Sequence, residues 1–575
     1  MRCLSAESVS LRLSVTVLKH NSESDLKMGC AESREGIRIP DPPELPPSTM
    51  RRTGLRSVLQ GRLYTPRYNR EMYDEVRNSC VWNIESVGKP VAIATCNSAD
   101  DVATCVKYVG KYCVKHGIFL CVAAGKHSMN CMRTGSFVVD LSGMRNVRVN
   151  EKEQWADVDG GATWEDVTEA TKWYKMATTS GIAEATGVGG TITQGGHGYL
   201  ERVHGLGIDN LLQAEVVTAD GSILTASGKE NPDLFWAIKG GGSNFGVVTR
   251  FRLQLHPIPA SIFAGRRVHA PMGIGWFPNR AKLIEQFAKI TAESKDNKVC
   301  GHFRRMPATG ILTLAVGGSV VEFLAYIDEG NKGKSYFAVH RKRVGFPVKD
   351  NMRGMDYHKE IQKVEKMTHE LAKALAKITA KEEKPGHGCK CQIRIIAIGG
   401  KASIQGHDCC AFRNGKFLVV IEARWTGKGF TKIYVDRRSK CTAWASRAMS
   451  MLNQLSSIGP KMSCSSSIPQ AIGSLSTAKA RDKEAEEGEG EKEEGGGPNG
   501  IKKAFEAKEE LKSEEYDDSK HFGVESGNLR VALGVRNVYG DKLPRLQNLK
   551  ARYDPGNVFR YNDNIIPVVP SETEK

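Results

Sequence analysis

The feature that most constrains this 575-residue chain is where its glycines fall. GIAEATGVGGTITQGGHG runs from Gly181 to Gly198, GLGIDN follows at 205–210, and KGGGSNFGVVT occupies 239–249. Three glycine-dense loops so close together exceed what ordinary turns need. Glycine lets the backbone take positive φ and approach a ligand closely. Successive amides aimed into one cavity form an anion-binding concavity. A barrel with many tight bends would also use such loops, but an anionic cofactor carrying a pyrophosphate accounts better for their concentration. The dinucleotide pattern G-x-G-x-x-G is matched in full at Gly495, Gly497 and Gly500. That match sits in an acidic run, contains Pro498 and follows no strand, so it lacks the strand–turn–helix setting the motif requires.

Composition narrows the class. With 40% hydrophobic and 26% charged residues and a mean hydropathy of −0.37, the chain reads as a soluble globular protein and not as one disordered throughout. The 59 glycines lack a triplet period, which excludes collagen. No apolar stretch approaches the roughly 20 residues that span a bilayer. The net charge of +17 fits either a polyanion partner or basic side chains spread over an enzyme surface. No helix-turn-helix, RNA-recognition or zinc-finger signature is present, so no nucleic-acid partner is expected. The 15 cysteines are odd in number and scattered. Cys389 and Cys391 lie near His387, His407, Cys409 and Cys410, but the paired C-x₂₋₄-C spacing of a zinc site is missing, so ordinary thiols and no metal are expected.

Residues 1–79 read as an extension. Its first twenty residues are poor in acids and rich in Ser and Arg, mildly like an organelle transit peptide, without the apolar core of a secretory signal. PDPPELPP (40–47) reads as a stiff linker. Residues 80–258 alternate short apolar runs, glycine clusters and helix patterns. VAIAT (91–95), GIFLCVAAG (117–125) and FVVDL (137–141) read as strands. A helix opens at Ala99 and continues to about Lys115, and AEVVTADGSILTA reads as a hairpin turned at Asp220–Gly221. Residues 259–528 mix strands and helices. Tyr357–Thr379 shows helical spacing, FLVVIEARW (417–425) reads as a strand, and an acidic low-complexity insertion spans about 478–518. Residues 529–567 form an aromatic, Asn-rich closing segment. KYCVKH (111–116) partly echoes CVKY (105–108) and reads as a small insertion. The expected fold class is α+β.

One further loop points to the chemistry. VAAGKHSMN (122–130) follows a strand and sets His127 in a small-residue turn ahead of the glycine cluster. With this loop the sequence resembles the FAD-linked oxidases with a PCMH-type, vanillyl-alcohol-oxidase-like FAD-binding domain, in the berberine-bridge-enzyme-like branch. The resemblance rests on AAGKHS (123–128) for the family's R-G-G-G-H-S, VVDLSGM (138–144), GGATW (160–164), Thr186 through Gly198, DLFWAIKGGGSNFGVVT (233–249) and YDPGNVFRYNDNIIP (553–567). It covers residues 80–257 and 529–567 well and 340–430 loosely. It implies a two-subdomain FAD-binding fold with an α+β substrate domain built on an antiparallel sheet.

Carried over residue by residue, the resemblance implies an FAD held by Ala124, Gly125, Lys126, His127 and Ser128; by Gly187, Gly189, Gly190, Thr193, Gly195, Gly196 and Gly198; by Asp209 and Asn210; by Gly241, Gly242, Asn244, Gly246 and Val247; and by Asn562 and Asn564. His127 takes the place of the histidine bonded covalently to the flavin. The family's second, cysteinyl link is matched by Ala183, so a single covalent bond is expected. Ala123 stands for the loop arginine, Ala124 and Lys126 stand for glycines, and Lys126 is placed to supply the missing positive charge. Thr186 stands where relatives often have Val or Ile lining the flavin, which leaves oxidase and dehydrogenase behaviour both open. The plant members' catalytic glutamate falls at Ile404, beside Gln405, and is unmatched. The sugar oxidases' tyrosine is not recovered in HFGVESGN (521–528). Tyr357, His358 and His204 are the candidate bases by residue type. The expected activity is removal of a hydride from a small-molecule alcohol or carbohydrate, with oxygen or another acceptor reoxidising the flavin. A flavin-binding protein that has lost catalysis is the alternative.

Overall fold

The structure, a computed structural model, describes residues 54–67, 70–79, 88–259 apart from 129, 180, 182 and 183, then 263–269, 280–293, 299–305, 319–325, 356–378, 385, 388–425 apart from 405, 411, 412 and 414, 432–455, and 538–568 apart from 563. Most of the N-terminal extension, the acidic insertion with its G-x-G-x-x-G match, Ala183 and His387 lie outside the described residues.

The strand expectations of the first part hold, with a feature the spacing did not reveal. β1 (Arg62–Tyr64) runs antiparallel to β2 (Ala92–Thr95). β2 and β3 (Leu120–Ala123) both pair in parallel with β4 (Phe137–Asp140), giving the order β1-β2-β4-β3. AIAT, LCVA and FVVD are apolar almost throughout because parallel strands are covered on both faces. The crossover from β2 is helix α1 (Ala99–Tyr108), whose N-cap Ser98 accepts from the Asp101 amide. Asp101 is buried because its carboxylate collects the amides of Gln60, Gly61 and Asn97. KYCVKH forms the widened and then tightened last turns of this helix, ended by Gly117 at φ 71°.

The second sheet is antiparallel, in the order β5 (Val147–Asn150), β6 (Trp155–Asp159), β10 (Val247–Gln254), β8 (Leu211–Val217) and β9 (Ile223–Ser227). The β8–β9 hairpin turns at Asp220–Gly221 as expected, with Gly221 at φ 76°. Beside this sheet lie α2 (Trp164–Thr171), opened by a Thr163–Asp166 capping box, α3 (Val188–Thr193) and α4 (Glu201–His204). A short pair, β7 (Met176–Ala177) with β11 (His256–Pro257), flanks them. Trp164, Phe245 and Phe251 are fully buried here.

The later part is one six-stranded antiparallel sheet, in the order β12 (Phe263–His269), β14 (Ser319–Ala325), β13 (Val299–Arg305), β16 (Cys389–Ala397), β17 (Phe417–Trp425) and β15 (Asp356–Val364). The expected helix over 357–379 is corrected. Its first part is edge strand β15, and only His369–Ile378 is helical. Nine-residue pairing with β17 overrides the apolar spacing of DYHKEIQKV. Helices α5 (Arg280–Glu293), α6 (His369–Ile378) and α7 (Lys432–Leu455) share one core with Ile393, Ile395, Val419 and Ile421, and so cover one face of the sheet. The other face carries Ile361, Ile396, Ile398, Leu418 and Val420, which form a cluster of their own. The chain then returns through α8 (Leu543–Tyr553) to the first part of the molecule.

Candidate functional site

The glycine loops separated in sequence meet around α3. A Cβ on Gly125 would fall 2.1 Å from the Gly187 amide nitrogen, and one on Gly187 would fall 2.4 Å from the Gly125 nitrogen. The two backbones therefore touch where no side chain fits. A Cβ on Gly196 would fall 2.9 Å from Gly207, and the 242–244 turn packs beside α3. In the first loop, His127 Nε2 lies 3.1 Å from the Ala185 carbonyl oxygen. A carbonyl can only accept, so Nε2 carries the proton and Nδ1 the imidazole lone pair. Lys126 takes φ 58°, a left-handed conformation its Cβ disfavours, and pairs at 2.8 Å with the buried Asp140 carboxylate at the end of β4. The positive charge expected of Lys126 is thus directed at Asp140.

The C-terminal segment locks the third loop. The Lys550 ammonium, fully buried on α8, donates to the Asn244 carbonyl at 2.7 Å, the Phe559 carbonyl at 3.0 Å and Asp554 Oδ2 at 2.6 Å. Asp554 in turn accepts the Val558 and Phe559 amides at 2.7 and 2.9 Å. Burial pulls the Lys550 ammonium down to about 8 despite its carboxylate partner. Asn562 Nδ2 donates to the Ser243 carbonyl, and the Ile565 amide donates to Asn244 Oδ1.

These contacts sort the expected cofactor residues. Several are occupied by the scaffold. Thr193 bonds the Gly189 carbonyl, the Gly198 amide bonds Glu201, and Asn244 bonds Gly241 and Ile565. Gly246, at φ 153°, lies against the Val217 carbonyl, and Val247 opens β10. Asp209 accepts from the Leu206 amide and Arg413, while Asn210 Nδ2 donates to Thr179, His204 and Leu206. Others front open space. A Cβ on Gly190 or Gly242 would meet nothing within 4 Å. The side-chain oxygens of Asn562 and Asn564 are buried with no hydrogen-bond donor. A buried acceptor left unpaired costs about 1–3 kcal/mol. An elongated ligand rich in hydroxyl and N–H donors would satisfy them, so the residues fit FAD.

The candidate bases are not brought together. His204, at the end of α4, stacks on His256 of β11 with ring centroids 3.8 Å apart and an 11° interplanar angle. Because Asn210 spends its amide nitrogen on three acceptors, its Oδ1 takes the proton of His256 Nε2 at 2.6 Å. Burial holds both imidazoles down to about 4, with His256 and Lys401 adding repulsion at His204 and Lys401 at His256. Lys401 belongs to the 400–403 turn, which packs on α4, and Arg202 donates to the Ile398 carbonyl at 3.0 Å. Here the first part of the molecule meets the six-stranded sheet. Arg413 reinforces this seam, joining Asp209 at 2.9 Å to Asp408 at 2.6 Å. His358 bonds Glu360 at 2.8 Å on β15. It lies opposite Ala423, which belongs to the helix-covered core. Tyr357 lies opposite Arg424. Through the ladder, His358 and Tyr357 lie level with Cys391 and Lys390, seven and eight residues along β16 from Ile398 at the seam, about 23–26 Å at roughly 3.3 Å each.

Sequence reading missed the polar cluster on the sheet face opposite the helices. Glu422, buried on β17, accepts from Gln392 at 2.6 Å and Arg394 at 3.4 Å and is also bonded by Arg424. Only the pairing of β16 with β17 shows that these residues share a face. Among the described residues, ten cysteines are buried free thiols, no group of three or more His, Cys, Asp or Glu could hold a metal ion, and no helix is long and apolar enough to cross a membrane.

Comparison with known proteins agrees with this geometry. Residues 90–227 match the FAD binding domain family and residues 530–566 the berberine and berberine like family. An FAD-linked oxidoreductase of Aspergillus terreus is 36% identical over 205 residues, 35% of this chain and 40% of that protein. A xylooligosaccharide oxidase of Thermothelomyces thermophilus is 42% identical over 131 residues, 22% of this chain and 26% of that protein. The chain thus spans less than half the length of these curated relatives. A berberine bridge enzyme variant solved with (S)-reticuline superposes with a TM-score of 0.67 over 92% of this chain and 100% of that one, at 16% identity, which is a likeness of fold. The chain thus carries an FAD binding domain at 90–227 and a berberine and berberine like segment at 530–566.

Proposed function

We propose that this protein is an FAD-dependent oxidoreductase acting on a small alcohol or carbohydrate. The observation that carries the reading is the meeting of the 125, 187–196 and 242–244 backbones with the donor-starved oxygens of Asn562 and Asn564. When bound, FAD supplies a two-electron sink for a substrate hydride, which oxygen or another acceptor then empties. His127 anchors it covalently, and no cysteine stands at the matching second position, Ala183. The Ala185 carbonyl fixes the tautomer that leaves the His127 lone pair on Nδ1. The open backbones at Gly190 and Gly242, with Asn562 and Asn564, hold the remainder. The sheet face opposite the helices takes the substrate. His204 is the base candidate at the seam, held neutral near pH 7 by burial, with Lys401 adding repulsion; on β15 the Tyr357 position shares the substrate face, whereas His358 faces the helix-covered core.

The test is anaerobic mixing of purified flavin-loaded protein with a panel of alcohols and mono- and oligosaccharides. Bleaching of the visible flavin band by at least one compound is expected. A flavin that binds but is bleached by none of them supports the flavin-binding protein without catalysis instead.

A further inference from the structure

The sheet face opposite the helices has an unbalanced charge. Directly opposite positions in a β-ladder lie on one face. The register sets Arg304 opposite Arg394, Lys390 opposite Arg424, and Lys359 opposite Glu422. Five basic positions therefore lie near Glu422 on this face, whose other carboxylate position, Glu322, lies opposite His302 and Arg266. Like charges directly opposite one another destabilise a sheet, so the arrangement is costly unless something else compensates it.

Glu422 does not balance the patch. Its side chain is only 5% exposed and bonded by Gln392, Arg394 and Arg424, whereas Arg394 and Arg424 are 24% and 15% exposed. The positive ends reach solvent and the negative one does not. Arg394 holds Glu422 by one long bond of 3.4 Å, and its Nε–H is buried with no acceptor. An arginine fork with spare donors matches the paired oxygens of a carboxylate or phosphate. The patch lies on the face that meets the cofactor loops. Arg394 is four residues, or about 13 Å, along the strand from Ile398, whose carbonyl Arg202 holds at the seam. Lys363, on the same face opposite Leu418, is buried close to Cys410, against whose backbone Gly240 packs.

We infer that the substrate is anionic, bearing a carboxylate or phosphate that Arg394 and Arg424 receive on the sheet face opposite the helices. The inference rests on the proposed function for the position of the substrate.

The test uses the full-length flavin-loaded protein and reads perturbation of the visible flavin band. The probes are glucuronate against glucose, benzoate against benzyl alcohol, and inorganic phosphate. The anionic member of at least one pair should perturb the band at concentrations at least tenfold lower than its neutral partner, and added salt should weaken it. Phosphate acting where both carboxylates fail assigns the phosphate class. Arg394→Gln should weaken anion binding tenfold or more, Arg394→Lys less, and Glu422→Gln should strengthen it. Equal response to neutral and charged probes, no response to any anion, or unchanged binding in a folded Arg394→Gln protein overturns the inference. Protein that purifies without flavin and takes none up refutes the function instead. Calorimetry with the same anions then still reads the patch.

Discussion

The Lys550–Asp554 pair allows a worked prediction. Replacing Lys550 with Met keeps the length of the side chain but removes a fully buried ammonium with three acceptors. Hydrogen bonds to a charged group are worth about 1.5–3 kcal/mol each, and they are not additive. The larger effect is on what remains. Asp554 would keep its two amide donors but lose its counter-charge, and breaking a buried pair by removing one partner costs about 3–5 kcal/mol. We expect Lys550→Met to destabilise by about 3–5 kcal/mol in urea unfolding followed by fluorescence. Removing both charges should cost less, because no carboxylate is stranded, so Lys550→Met/Asp554→Leu should recover part of the loss. Since the pair holds Asn244 and positions the segment carrying Asn562 and Asn564, the single variant should also retain less flavin after gel filtration. A loss below about 1 kcal/mol, or a double variant worse than the single, would refute the reasoning.

Three further outcomes can be checked. The folded values of His204 and His256, about 4, lie below the ordinary 6.5. Between these values the unfolded chain binds more protons, so stability rises with pH across that window and is lost as pH falls through it. With both rings only partly buried, each contributes about 1–2 kcal/mol after screening is allowed for; His204→Phe should flatten the acid limb of urea unfolding midpoints measured from pH 7 to 4, and an unchanged limb would count against the stacked pair. Lys126→Ala should cost about 2–3 kcal/mol by stranding Asp140, whereas Lys126→Arg should cost less than 1; equal melting of the two variants would show that the ion pair carries nothing. Arg413→Lys, which cannot bridge Asp209 and Asp408 bidentately, should destabilise by about 3 kcal/mol and release flavin more readily in dialysis; wild-type retention and melting would remove Arg413 from the seam.

Much of the architecture could be read in the sequence because its signals are local. Short apolar runs mark β2, β3 and β4, Asp220–Gly221 marks a hairpin, and the glycine runs mark the loops that meet at α3. What escaped depends on partners far away in the chain. Gly198, Asp209, Asn210 and Asn244 look like ligand residues in a motif, yet their polar groups are committed to Glu201, Arg413, His256 and Ile565. His256 carries no motif and gains its meaning only by stacking on His204. The stretch after Tyr357 has helical spacing, but nine residues paired with β17 decide it as strand. Glu422 and Arg394 look like ordinary strand charges until the ladder sets them on one face.

The central claim is a flavin held by His127 among the three glycine loops. Acid denaturation of the purified protein, followed by precipitation and washing, tests it most directly. The account predicts yellow, fluorescent flavin that stays with the polypeptide and is released in the His127→Ala variant. A native protein that gives up all its flavin contradicts the covalent anchor, and one that neither carries nor takes up flavin contradicts the claim itself.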